Sequence, residues 1–159
     1  MNSNELEEIE NLLEWLDKNN NQLINYMPAI LIQNKALLAR EIFNNIAYKI
    51  RNNDKVAIKI ACDFIIADKK IPFGRCIKSE ITRALKSKAD LISKADQMAI
   101  ILITKKLLIL KYTPSEVKFY CNLISKFGSK YCDIILSIEY NDIVTRKYKE
   151  YLLMKCNCM

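Results

Sequence analysis

Arg75, Lys78, Ser79, Thr82, Arg83 and Lys86 recur at intervals of three and four residues, placing four cations and two hydroxyls in twelve positions. On a helix, at 100° per residue, all six fall within about 140° of arc. Guanidinium forks on such a face bind phosphate or carboxylate oxygens in pairs, and lysines add point charges. The face therefore suits a nucleic-acid backbone or an acidic protein surface. The same pattern also describes a plain solvated helix face, and the residues alone do not choose. A second charged set, Glu7, Glu10 and Glu14, lies in a stretch of seventeen residues with six acidic groups and no basic one. It is the candidate contact for a basic partner.

Little else in the chain has the spacing of a catalytic site. There is no His, so the commonest general base and metal ligand is missing. Asp63 and Asp68, five apart, and the adjacent Glu7 and Glu8 do not make an acid–base pair. Cys156 and Cys158 offer two thiolates to a soft metal, and two ligands do not complete a site. Cys76 borders the basic helix, whose cations favour a thiolate. Phosphate loops, dinucleotide fingerprints, nucleophile elbows and zinc motifs are absent, and two glycines cannot build a Gly-rich loop. The expectation is a binding protein without catalytic residues, cofactor or metal. Tyr148 and Tyr151 beside Arg146, Lys147 and Lys149 form a second basic and aromatic patch. Phe73 is expected on the apolar side of its helix, so the first basic face carries no interleaved ring.

The elements that must position these residues are helices. Apolar residues return every three to four positions along most of the chain, with only two Gly and three Pro among 159 residues. Leu6, Ile9, Leu12, Leu13 and Leu16 form one stripe of a helix over 3–17. A segment from Gln22 meets Pro28, which kinks it or opens a new helix. From Pro28 to Ile50 the spacing of Leu31, Leu38, Ile42, Ile46 and Ile50 is helical, in one helix or in two split near Gln33-Asn34. Asp54 caps the next, built on Val56, Ile60, Phe64 and Ile65. The basic helix follows a connector over 68–74 and runs to Lys88. Ser93 and Asp96 open a helix that reads as apolar on nearly every side, hence central, and that ends near Lys111. Thr113-Pro114-Ser115-Glu116 has the form of a capping box with Pro at the first helical position. Gly128 suits a left-handed helix end. Helices over 131–140 and 142–154 complete the chain, with a frayed tail over 155–159.

This pattern predicts an all-α, single-domain chain of eight or nine helices with short links. It is either an irregular bundle or a right-handed solenoid of antiparallel hairpins. Charge divides unevenly: residues 1–53 hold five basic and seven acidic groups, residues 54–159 twenty and eleven. The six cysteines follow no apolar leader, and Cys62 and Cys121 fall on core stripes. Reduced thiols in a cytoplasmic setting are therefore expected. The most apolar stretch, 98–110, is interrupted by Lys105 and Lys106, so no membrane span is expected.

From Asp54 to Gly128, with Ile71-Pro72-Phe73-Gly74-Arg75 before one helix and Thr113-Pro114-Ser115-Glu116 before another, the chain resembles a short HEAT-like α-α repeat protein. Small helical proteins of this kind are similar to some bacterial immunity proteins, which bind and block a toxin. The resemblance implies a protein-binding module acting by steric cover, with a nucleic-acid-binding protein as the alternative. It assigns no site residue.

Overall fold

A computed structural model describes residues 3–19, 23–69, 73–110, 113–137, 139 and 143–157. Among them are eight α-helices and no strand. The helices are α1 (Ser3–Asn19), α2 (Lys35–Arg51), α3 (Lys55–Ala67), α4 (Gly74–Lys86), α5 (Lys94–Leu108), α6 (Val117–Ile124), α7 (Ser129–Leu136) and α8 (Ile143–Asn157). Short 3₁₀ turns occupy Leu23–Tyr26 and Ala89–Leu91.

Local chemistry explains where several helices begin. Asp54 accepts hydrogen bonds from the amides of Val56 and Ala57 at 2.9 and 3.0 Å, which opens α3. Ser93 accepts from the amide of Asp96 at 3.1 Å and opens α5. Helix α2 starts at Lys35, at the split expected near Gln33-Asn34, and no helix forms over 28–33. Asn34 accepts from the amide of Leu37, and the chain before it is irregular from Met27 onward. A short polar side chain competing for backbone amides wins over the apolar spacing, and Leu31, expected in the core, is 88% exposed.

Other expectations are corrected. The box at 113–116 does not form: α6 starts at Val117, and Glu116 caps nothing through its side chain. Its carboxylate is drawn to Lys78 instead. Phe73 sits in the left-handed region at φ 58° and is exposed, not on an apolar face. Gly128 has φ 113° and precedes α7, so its glycine requirement stands although its place is not a left-handed helix end. Helix α5 is not covered all round, since Leu102 and Met98 reach solvent. Helix α8 continues past Met154 to Asn157, so residues 155–157 are helical where a frayed tail is expected; Cys158 and Met159 lie outside the described residues.

The cysteine expectation divides. Cys62, Cys76 and Cys121 are free thiols, the first and last buried. Burial pushes both Cys62 and Cys121 up to about 12. Cys132 and Cys156, expected as thiols, form a disulfide that ties α7 to α8. Two cysteines with few neighbours in sequence pattern become partners because these helices pack together.

Helix packing follows a regular order. Helix α2 packs on α4, α4 on α6 and α6 on α8, while α3 packs on α5 and α5 on α7. Links between these two series come from α2 with α3, α3 with α4, α5 with α6 and α7 with α8, and α1 covers α2. Buried residues of all eight helices join one apolar cluster, including Leu12, Ile42, Ile46, Phe64, Ile81, Ile100, Tyr120, Cys132 and Leu152. Full burial of each large aliphatic side chain contributes about 1.5–3 kcal/mol. The rings of Phe43 and Phe64 lie 4.4 Å apart where α2 meets α3. No described helix is long and apolar enough to cross a membrane.

Candidate functional site

Helix α4 has α2 on one flank and α6 on the other, and it also touches α3. A helix so placed keeps only a narrow outer strip. Its six candidate residues therefore divide. Lys78, Ser79 and Thr82 are buried, whereas Arg75 and Arg83 are exposed and Lys86 is half-buried.

The buried part is a polar cluster. The Lys78 ammonium donates to the Asp68 carboxylate at 2.7 Å and to the Glu116 carboxylate at 3.3 Å, joining α4 to the end of α3 and the start of α6. The Thr82 hydroxyl donates to the Lys78 carbonyl at 2.5 Å. Beside them, the Tyr120 hydroxyl is buried with no hydrogen-bond partner among the described residues. Burial, with the charges of Asp68 and Glu116, holds that phenol well above its ordinary range. Burial and the charges of Cys121 and Glu116 also raise Tyr148 on α8, and Arg75 opposes them. A lysine shared between two carboxylates fixes three elements in register.

The exposed part continues onto neighbouring helices. The Arg83 guanidinium lies 5.7 Å from the centre of the Phe119 ring of α6. Lys86 donates to the Asn122 side-chain carbonyl at 2.8 Å. Burial, then Lys126 and Lys155, holds the Lys86 ammonium below the usual lysine value, a sign that these cations share one region. Lys118 and Lys155 lie 5.2 and 5.5 Å from the Tyr151 ring of α8. Rings and cations thus alternate across α4, α6 and α8, although no single helix carries the alternation. Sequence reading missed Lys118, Phe119, Asn122 and Lys126. The step from Lys118 to Asn122 on α6 carried part of the signal; Lys126 lies in the turn after that helix.

On the other flank of α4, a groove of about 300 Å³ lies against α2. Arg40, Asn44, Cys76, Ser79, Glu80 and Arg83 contribute to its walls. Glu80 is taken up by Arg51 at 2.5 Å and, more loosely, by Arg83 at 3.8 Å. Arg40 and Asn44, one turn apart on α2, were also missed.

The acidic set is spread along α1. Glu7 is exposed, Glu10 pairs with Lys35, and Glu14 lies 3.5 Å from Lys18. Glu10 and Glu14 share a shallow groove with Leu13 and Lys35. Of the second basic and aromatic patch, Tyr151 joins the α4–α6–α8 surface. Arg146 and Lys149 instead line a groove with Leu136, Glu150 and Leu153. No cluster of three or more metal-ligating side chains occurs among the described residues. Searches of protein-family models, curated proteins and solved structures find no match to this chain.

Proposed function

We propose that the chain is a non-catalytic helical interaction module whose surface over α2, α4, α6 and α8 covers an acidic partner protein. The observation that carries this reading is the alternation of cations and rings from Arg83 over Phe119 to Lys118, Tyr151 and Lys155. Half-buried rings under cations give a rigid contact surface at low entropic cost, and arginine and tyrosine are the residue types that anchor interfaces. In this reading the helices form a two-layer, HEAT-like stack. The packing of α2, α4, α6 and α8 in one series and α3, α5 and α7 in another supports that arrangement. Its action is steric, and a toxin-neutralising immunity protein is its most concrete form. A cytoplasmic home goes with that form, but such a reducing setting would hold Cys132 and Cys156 as thiols rather than as the bridge between α7 and α8.

The test is in the cell. The tagged chain, cross-linked in its native host, is expected to recover one stoichiometric protein partner, and co-expression with a toxic neighbouring gene product is expected to restore growth. Recovery of no such partner counts against the reading.

A second reading, nucleic-acid binding, draws on the same alternation, because bases stack on rings flanked by cations. It requires affinity for oligonucleotides that falls steeply with salt. Absence of any fluorescence polarisation change with single-stranded DNA or RNA at low salt removes it.

A further inference from the structure

We infer that the groove between α2 and α4 is an anchor pocket for a carboxylate side chain of an acidic protein segment. The inference rests on the partner-covering reading above and names where the partner's carboxylate is gripped.

Three observations carry it. Arg40 is exposed and makes no ion pair or hydrogen bond among the described residues, so its fork of N–H donors is free to take a new acceptor. Ser79 is only 8% exposed, yet it contributes to the groove wall, and its hydroxyl finds no hydrogen-bond partner among the described residues. Unlike the Tyr120 hydroxyl, that of Ser79 keeps contact with solvent at the groove, where it can donate to an incoming acceptor. Arg83 reaches the same groove from α4 with most of its side chain in solvent.

The size of the groove, not the donors, favours a carboxylate over a phosphodiester strand. Two guanidinium forks and a hydroxyl match the flat, two-oxygen geometry of an Asp or Glu side chain. At about 300 Å³ the groove takes one side chain and not a row of nucleotides. Glu80 also lines the groove, and Arg51 at 2.5 Å and Arg83 at 3.8 Å offset its charge. The Asn44 amide donates to Glu41 at 3.2 Å, leaving its carbonyl oxygen to receive a backbone amide of the incoming segment.

The experiment uses the full chain and two labelled probes: a fluorescein-tagged peptide of alternating Glu and Gly, and tagged oligothymidylate. Fluorescence anisotropy at low salt is expected to show peptide binding. Arg40→Glu is expected to weaken it by about tenfold or more, and Ser79→Ala by a few fold. Lys106→Glu on α5 makes the same charge change away from the groove and is expected to alter affinity less than about twofold. Arg40→Gln repeats the test without reversing charge, and circular dichroism checks that each variant is helical. Peptide binding that responds equally to Arg40→Glu and Lys106→Glu overturns the pocket while leaving the wider face intact. Binding of oligothymidylate without binding of peptide overturns the pocket and favours the nucleic-acid reading. Binding of neither probe overturns the pocket and the acidic-partner reading together.

Discussion

Lys78 and Arg83 sit five residues apart on one helix, carry the same charge and meet opposite fates. Lys78 is 4% exposed and locked between Asp68 and Glu116, whereas the Arg83 side chain is 64% exposed and lies over Phe119. The difference arises from the neighbours of α4. A helix flanked by α2 and α6 turns part of its polar face inward, and the charges there become structural. The charges left outside are the ones available to a partner.

The largest effect separates these roles directly. Lys78→Ala leaves two carboxylates without their shared cation, and Glu116 is only 17% exposed. The expected loss is about 3 kcal/mol in urea unfolding. Arg83→Ala is expected to change stability by under about 0.5 kcal/mol while weakening partner binding. Equal stability losses for the two variants would erase the contrast.

Next comes the bridge from Cys132 to Cys156, which closes a loop with a sequence separation of 24. Reducing it is expected to lower stability by about 3 kcal/mol. The effect should concentrate in α8, whose buried residues are few, chiefly Thr145 and Leu152. Hydrogen exchange with and without reductant measures this, and unchanged protection in α8 would count against a stapling role.

Alkaline pH tests the thiol core. Cys62 and Cys121 have folded pKa values raised from 9.0 to about 12. A raised folded value means that the stabilisation is intact below pH 9 and is lost as pH climbs from there toward 12. At pH 10 each thiol costs on the order of 1 kcal/mol relative to neutral pH. Urea midpoints of the double variant Cys62→Ala, Cys121→Ala should therefore fall less between pH 8 and 10 than those of the parent chain.

The smallest effect carries the opposite sign. Tyr120→Phe removes a buried hydroxyl that has no partner among the described residues. It is expected to stabilise by about 1 kcal/mol. Loss of stability would mean that the hydroxyl is bonded within the cluster.

Much of the helical architecture was legible because periodic apolar spacing reports a buried stripe wherever the neighbours lie. Asp54 and Ser93 were legible as caps because capping is local. Glu116 was not, since Lys78, 38 positions earlier, draws it away from the helix end. The outer surface was legible only in fragments. Arg83 was found on its own helix, but Phe119, Lys126 and Arg40 join it through packing that no spacing on α4 encodes. The bridge from Cys132 to Cys156 was hidden for the same reason.

The most direct test compares the two series of helices by charge. A variant reversing Lys118, Lys126 and Lys155 to Glu changes the proposed binding face, and one reversing Lys55, Lys106 and Lys130 makes the same charge change on α3, α5 and α7. Both are used as bait beside the parent chain in cross-linked host cells. The account predicts that the first loses the parent's stoichiometric partner and the second keeps it. Retention by the first with loss by the second would contradict it.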